Sequence, residues 1–438
     1  MKVPDIEKEI GIDLYTTSTS GIGGTLRQEI DDFIVKEITN REEGDTGKYL
    51  ILELKKNNWE THHLIRDLSR KLGISQKRIG FAGTKDKRAV TTQKISIYDL
   101  NLEDINDVTL KDSEMNYIGR SDKSVELGDL IGNEFSITVR SSDLNIDELY
   151  NQLEIITKDI KQMGGTPNFF GVQRFGSTRP VTHIVGESLV RGDPEDAALK
   201  YIASAFPEEP EDTKTARKYV YETKDYIEGL KLYPLRLRYE RSMMDYLIKN
   251  PDDYSGAFNV LPRNIQRIFV HAYQSYLFNK ILCQRIKDGL PLNRAVEGDI
   301  VCFRNKAGLP DTSRLQEVTS TNIDGMNNLI KRNRAFVTAP LIGYQTEFSS
   351  GKPGEIEKKI FDETGLSTED FKVPSTPELA SKGVRREILL HTEPSFKADE
   401  DELNPGKSKA VLDFTLPKGS YATTLLREYM KVNPLKMS

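Results

Sequence analysis

Two hydrophobic periods alternate along the chain. Residues 89–98, 134–140 and 409–416 place apolar side chains largely at alternate positions, and 31–38 (Asp-Asp-Phe-Ile-Val-Lys-Glu-Ile) is a short β-rich run; all four predict strands. The run 48–54 is too short and too rich in β-formers for a helix, and is expected to pair with 31–38. A three-to-four period takes over at Leu64, Ile65, Leu68 and Leu72, which predicts a helix with Thr61 as N-cap and Gly73 as its stop. Leu149, Leu153, Ile156 and Ile160 predict a helix over 146–163, and Ile265, Ile268, Phe269, Ala272 and Tyr276 one over 265–287. Residues 421–432 read as another helix. Shorter signals give strands at 79–82, 300–304 and 335–338 and a short helix within 361–369. Residues 1–20 show little periodicity and read as a loosely held arm. The stretch 177–262 is broken by prolines and acidic connections, and 399–406 reads as an exposed acidic loop.

At 438 residues the chain exceeds one ordinary core, so two domains or one elaborated domain are expected. The apolar strand 409–416 needs a sheet, and the N-terminal strands are its obvious host. The expected architecture is therefore a sheet-based domain built from residues 1–176 and 385–438, with residues 177–384 inserted. The chain is 37% hydrophobic and 29% charged, the composition of a globular protein. No apolar run approaches a membrane span, and Met1-Lys-Val-Pro-Asp lacks the apolar core of a signal peptide. Cys283 and Cys302 are isolated, which fits a reducing compartment; the cytoplasm is the expected location, with no membrane contact. The net charge of −5 argues against a general nucleic-acid binder, but charge is clustered: acids at 207–212 and 399–402, bases at 85–88 and at Arg385-Arg386.

The stretch of greatest chemical interest is 78–93. Asp86 stands between Lys85 and Lys87 beside Arg88, after Gly80 and Gly83 and before a β-rich run. Nearby positive charge favours an ionised carboxylate. That suits either a nucleophile or a solvated loop balancing its own charges. Gly80-Phe-Ala-Gly-Thr-Lys85 is not a phosphate loop: its glycines are too close, and Asp86 would repel a phosphate. His62, His63, His183, His271 and His391 form no metal-binding pattern, and no serine nucleophile elbow is present. His271 reads as a packing histidine, and Tyr276-Leu-Phe-Asn279 as core.

The second candidate is Pro167-Asn-Phe-Phe-Gly-Val-Gln-Arg-Phe-Gly176, where aromatics sit among Asn168, Gln173 and Arg174. Such a loop can stack on a flat base and hydrogen-bond its edges. Equally, the rings can plug a core, which is the favoured reading for Phe169 and Phe175; Phe170 is balanced between the two.

These motifs, in this order, resemble the TruD family of tRNA pseudouridine synthases. The likeness rests on Gly24-Thr-Leu-Arg27 with Asp32-Phe33 and Val35, on the Gly80–Lys87 loop with Ala89-Val-Thr91 and Gln93, and on Ile131-Gly-Asn133. It continues in the 167–176 loop, in Gln274-Ser275 with Leu277-Phe-Asn279, and in Leu416-Pro-Lys-Gly-Ser-Tyr-Ala-Thr423 with Leu426-Arg-Glu428. The resemblance implies an α+β fold: a mixed, largely antiparallel pseudouridine synthase sheet with an inserted α/β domain. It implies isomerisation of a uridine in tRNA, specifically uridine 13, without a cofactor, a metal or an obligatory protein partner. Asp86 matches the family's nucleophile, acting at C1′ of the ribose or C6 of the base, and Arg27 matches its basic partner. Asn168 and Phe170 match the active-site amide and stacking ring. Lys85, Lys87, Arg88, Arg140, Arg174, Arg385 and Arg386 are candidate phosphate contacts. The competing functions are a non-catalytic RNA-binding or chaperone protein using the same cleft, and a glycosidic hydrolase, which would want a second carboxylate that is not identifiable here.

Overall fold

The computed structural model describes residues 2–106 and 108–437. Its organising element is a nine-stranded mixed sheet. Along it lie Ser395–Glu400, Ser408–Pro417, Leu130–Ser142, Phe33–Thr39, Val90–Tyr98, Tyr49–Asn57 and Ser113–Ser121, in that order. Two short strands are appended: Thr25–Leu26 on Leu130–Ser142, and Ile79–Phe81 on Val90–Tyr98. The one parallel pair joins Phe33–Thr39 to Val90–Tyr98; the other pairings are antiparallel. The expected pairing of 31–38 with 48–54 is thus corrected. Val90–Tyr98 lies between those strands, because a strand formed later in sequence is inserted between two earlier ones.

Cross-strand register shows how the apolar pattern is used. Phe135 and Ile137 face Phe414 and Leu412, and Phe33 and Val35 continue the same face. Helices Ile146–Met163 and Ala422–Met430 cover this half through Leu149, Leu153, Ile156, Leu425 and Tyr429. At the other end of the same face, Leu50, Leu52, Leu54, Ile95 and Ile97 are covered by Leu64, Ile65 and Leu68 of helix Thr61–Lys71. Between the two apolar patches the register places Glu37 opposite Asn133, Lys56 opposite Thr91 and Leu54 opposite Gln93. A strip of polar side chains therefore crosses the middle of an otherwise apolar sheet face.

The remainder builds a second body. Its four-stranded antiparallel sheet runs Pro310–Glu317, Ile300–Arg304, Ala335–Leu341, Val384–Glu387. The 25-residue helix Arg263–Lys287 is its spine, and Thr182–Val190 packs against it so closely that a Cβ at Gly186 would meet the Phe269 carbonyl oxygen at 2.0 Å.

Several local expectations are corrected. The N-terminal twenty residues are not a loose arm: Ile10 and Ile12 are fully buried in the second body's core, and Glu7 pairs with Arg427. Helix Thr61–Lys71 is capped by Glu60, whose carboxylate accepts from the backbone of His62 and His63, and not by Thr61. The helix expected within 361–369 is Gly351–Asp362 followed by the 3-10 turn Thr368–Lys372. The acidic segment at 399–406 ends an edge strand and turns Asp401 inward, where it accepts from the Ser141 backbone and Arg140.

Candidate active site

Asp86 stands at the polar strip, on the loop joining Ile79–Phe81 to Val90–Tyr98. Its strands explain the glycine at its start: a Cβ at Gly80 would lie 2.3 Å from Ser124 Oγ and 2.7 Å from the Val125 carbonyl oxygen. The loop is fastened at four points. Lys56, wholly buried, donates to the Asp86 carbonyl at 2.9 Å and to the Trp59 carbonyl at 2.6 Å. The Lys85 amide donates to the Thr61 hydroxyl, Gln93 donates to the Gly83 carbonyl, and Lys85 Nζ reaches Glu37 and Asn133 at 2.9 Å each. With its backbone so held, the Asp86 carboxylate is free to project; its side chain is 51% exposed.

Arg27 meets that carboxylate at 3.0 Å. It follows the short strand Thr25–Leu26 and adopts φ +59°, a left-handed conformation that a side chain bearing Cβ rarely takes and that costs on the order of 1 kcal/mol. The bend lays its guanidinium over the Phe33 ring, 4.0 Å from the centroid, so that one cation is held between an aromatic face and the carboxylate.

The second half of the site is the loop after Ile146–Met163. Phe169 and Phe175 are core plugs, as their reading favoured. Phe170 is also buried in this structure. Its backbone amide and carbonyl are clamped by the Asn279 side chain at 2.9 and 3.0 Å, and its ring meets Phe278 edge-on. Arg386 lies over the same ring at 4.3 Å, and Arg174 at 5.8 Å. Asn168 is fully engaged: its amide donates to the carbonyl and carboxylate of Glu387 at 3.0 Å, and its oxygen accepts from Arg386 at 2.6 Å. Burial depresses both arginine pKa values, and for Arg386 the nearby Arg174 adds to the depression. The two halves meet at the turn after Ser408–Pro417: Leu416 is the register partner of Asn133, and the Gly419 carbonyl accepts from Arg386.

Of the remaining candidates, Lys87 and Arg88 are exposed beside Asp86. Three others are corrected. Lys85 is 5% exposed and spent on Glu37, Arg140 is enclosed by Asp32, Asp401 and Glu402, and Arg385 is enclosed by Glu357, Thr338 and Ser349. A buried cation satisfied by carboxylates has no group to offer a phosphate. His271 is another correction: it lies exposed on its helix and is not a packing residue. Lys56 and Glu387 escaped sequence reasoning, since neither carries a local signal; Asn279 was read as core and as part of a family motif. Among the described residues no group of three His, Cys, Asp or Glu side chains is placed to hold a metal, and no helix is long and apolar enough to cross a membrane.

Comparison with known proteins agrees over the whole chain. Proteins named "Probable tRNA pseudouridine synthase D" include one from Methanococcoides burtonii, 68% identical over 436 residues covering 100% of this chain and 99% of the relative. Another, from Pyrococcus furiosus, is 41% identical over 419 residues covering 95% and 98%. The crystal structure of a Methanosarcina mazei TruD protein, 64% identical, superposes with a TM-score of 0.94 over 100% of both chains. The family model for tRNA pseudouridine synthase D (TruD) matches residues 9–429, and the chain belongs to that family.

Proposed function

We propose that this protein converts a uridine of tRNA, at position 13, into pseudouridine, with Asp86 as nucleophile. The observation that carries the reading is the Arg27–Asp86 pair: an exposed carboxylate on a four-point anchored loop, met by a cation held in a strained conformation. A protein that only bound RNA would have no use for that arrangement.

The chemistry is an isomerisation and balances without a cofactor. The C1′–N1 bond of the nucleotide breaks and a C1′–C5 bond forms, while C5 loses a proton and N1 gains one. In the C1′ route an Asp86 oxygen bonds to C1′ as the pair of the C1′–N1 bond passes to the uracil. The freed base turns, C5 attacks C1′, and the carboxylate departs. In the C6 route the same oxygen adds to C6, the C5–C6 π pair passing toward O4; the C1′–N1 bond breaks with its pair on the base, the turned base bonds C1′ through C5, and the carboxylate leaves with the C6–O pair as C5 gives up its proton to restore the double bond. Either route requires the uridine to leave its stack and enter the site. Phe170 offers the apolar surface on which the base would stack, with Asn168 beside it. Lys87, Arg88, Arg174 and Arg386 are the cations we assign to RNA phosphates, and Lys85 holds the loop. Support for the domain assignment, 1–176 with 385–438 as catalytic and 177–384 as inserted, is that the main sheet draws its strands from 25–142 and 395–417; the second sheet's strand Val384–Glu387 crosses the 384/385 border, and we move that border to after Glu387.

Asp86→Asn keeps the size and most hydrogen bonds of the residue but removes the nucleophile. The expected outcome is no pseudouridine in carbodiimide mapping of tRNA, with tRNA affinity within about threefold of wild type (a shift below ~1 kcal/mol). Substantial product from the variant would sink the assignment.

A further inference from the structure

Lys56 is wholly buried, yet among the described residues no carboxylate lies within salt-bridge distance of it; its ammonium is satisfied by the carbonyls of Trp59 and Asp86. Burying a cation without a partner is strongly unfavourable. Of the charges acting on it, the Asp86 carboxylate favours the ammonium most and Glu60 next, while Lys85 opposes them. Burial draws the ammonium pKa down to about 8, and Asp86 limits the fall. Glu60 is already committed to capping Thr61–Lys71. Two cations therefore bear on Asp86: Arg27, which pairs with the carboxylate directly, and Lys56, which holds its backbone carbonyl from within the sheet.

We propose that Lys56 is a positioning residue for the isomerisation, a buried cation whose compensating charge is the free Asp86 carboxylate and which thereby favours release of Asp86 from its bond to the nucleotide. The inference rests on Asp86 being the nucleophile. While the Asp86 oxygen is bonded to carbon, at C1′ or C6, the group is an uncharged ester and Lys56 loses the anion that favours its charge most. When the C–O bond breaks, its electron pair returns to the carboxylate and the compensation is restored. The same ammonium also fixes the Asp86 carbonyl, so the side chain starts from one backbone position. Arg27 meets the carboxylate oxygen itself, whereas Lys56 holds the Asp86 backbone carbonyl, so the two cations act at different atoms.

The test begins with a double-mutant cycle on urea unfolding of the full chain. Asp86→Asn is expected to destabilise the protein when Lys56 is present and to do so less in a Lys56→Met background, with a coupling on the order of tenfold in the unfolding constant. Additive effects would overturn the proposal. This readout needs no product, so its failure is distinct from failure of the functional reading. Should Lys56→Met not fold, the ¹³Cε resonance of Lys56 in the wild type and in Asp86→Asn suffices: the titration midpoint falls when the carboxylate is removed, and an unchanged midpoint overturns the idea. In single-turnover assays Lys56→Met is expected to slow product formation about a hundredfold with tRNA affinity unchanged, and Lys56→Arg to recover part of the rate. Equal loss of rate and affinity would show a merely structural lysine.

Discussion

Phe170 has a guanidinium 4.3 Å above its ring where a uracil is expected to stack, and Arg386 is tied there by the Asn168 oxygen and the Gly419 carbonyl. Base and guanidinium compete for one aromatic face, so entry of the uridine is expected to displace Arg386 toward the RNA backbone. Phe170→Ala removes the platform but not the cations. Base–aromatic stacking amounts to about 1–3 kcal/mol, so the rate of pseudouridine formation should fall roughly 5- to 150-fold while tRNA affinity changes much less. Single-turnover kinetics beside a binding titration separate the two, and equal losses would make Phe170 a core plug. Arg27→Lys keeps charge but neither the fork nor the planar contact with Phe33, and a slower rate with intact folding is expected from activity and thermal-melt measurements.

At the scale of elements, the N-terminal segment and the C-terminal helix hold each other. Arg427 on Ala422–Met430 makes two bonds to Glu7 at 2.9 and 3.0 Å and a third to Glu428, all buried. Glu7→Ala leaves part of that charge uncompensated, and a loss of about 3 kcal/mol in urea unfolding is expected. The segment is fastened again by His183 on Thr182–Val190, whose Nε2 contacts the Glu9 carbonyl and whose ring stacks on Tyr276. Burial lowers the His183 pKa to about 4. Between pH 6.5 and 4 the unfolded chain binds a proton that the folded chain does not, so stability declines as pH falls through that window, by on the order of 3 kcal/mol. Unfolding measured from pH 7 to 4 tests this: His183→Gln should flatten the decline, and the same slope in both proteins would assign it to other groups.

For the whole molecule, a net charge of −5 must coexist with an RNA substrate. Many basic residues are internally neutralised, as Arg140, Arg217, Arg285 and Arg385 show, which leaves few for phosphates. Lys87→Ala should therefore weaken tRNA binding and lower the slope of log affinity against log salt by roughly 0.7–0.9; an unchanged slope would remove Lys87 from the interface. The helix Ile146–Met163 and the strands near 33–39, 90–98 and 408–417 followed from their local patterns, because a face pattern is a local property of the chain, whereas the strands Ser113–Ser121, Pro310–Glu317 and Ser395–Glu400 carried no such signal. The Asp86 and Asn168 loops were legible as motifs, since the residues proposed for the chemistry there are adjacent in sequence. The sequence could not place Val90–Tyr98 between two earlier strands, or turn Lys85 toward Glu37, or put Arg386 on Phe170. Each depends on register between distant segments, and whether a charge is a ligand or a buried counterion is set by the neighbours that folding brings. Lys56 is the sharpest instance: along the chain it is one lysine in a Lys-Lys pair, and only the sheet makes it the cation beneath Asp86.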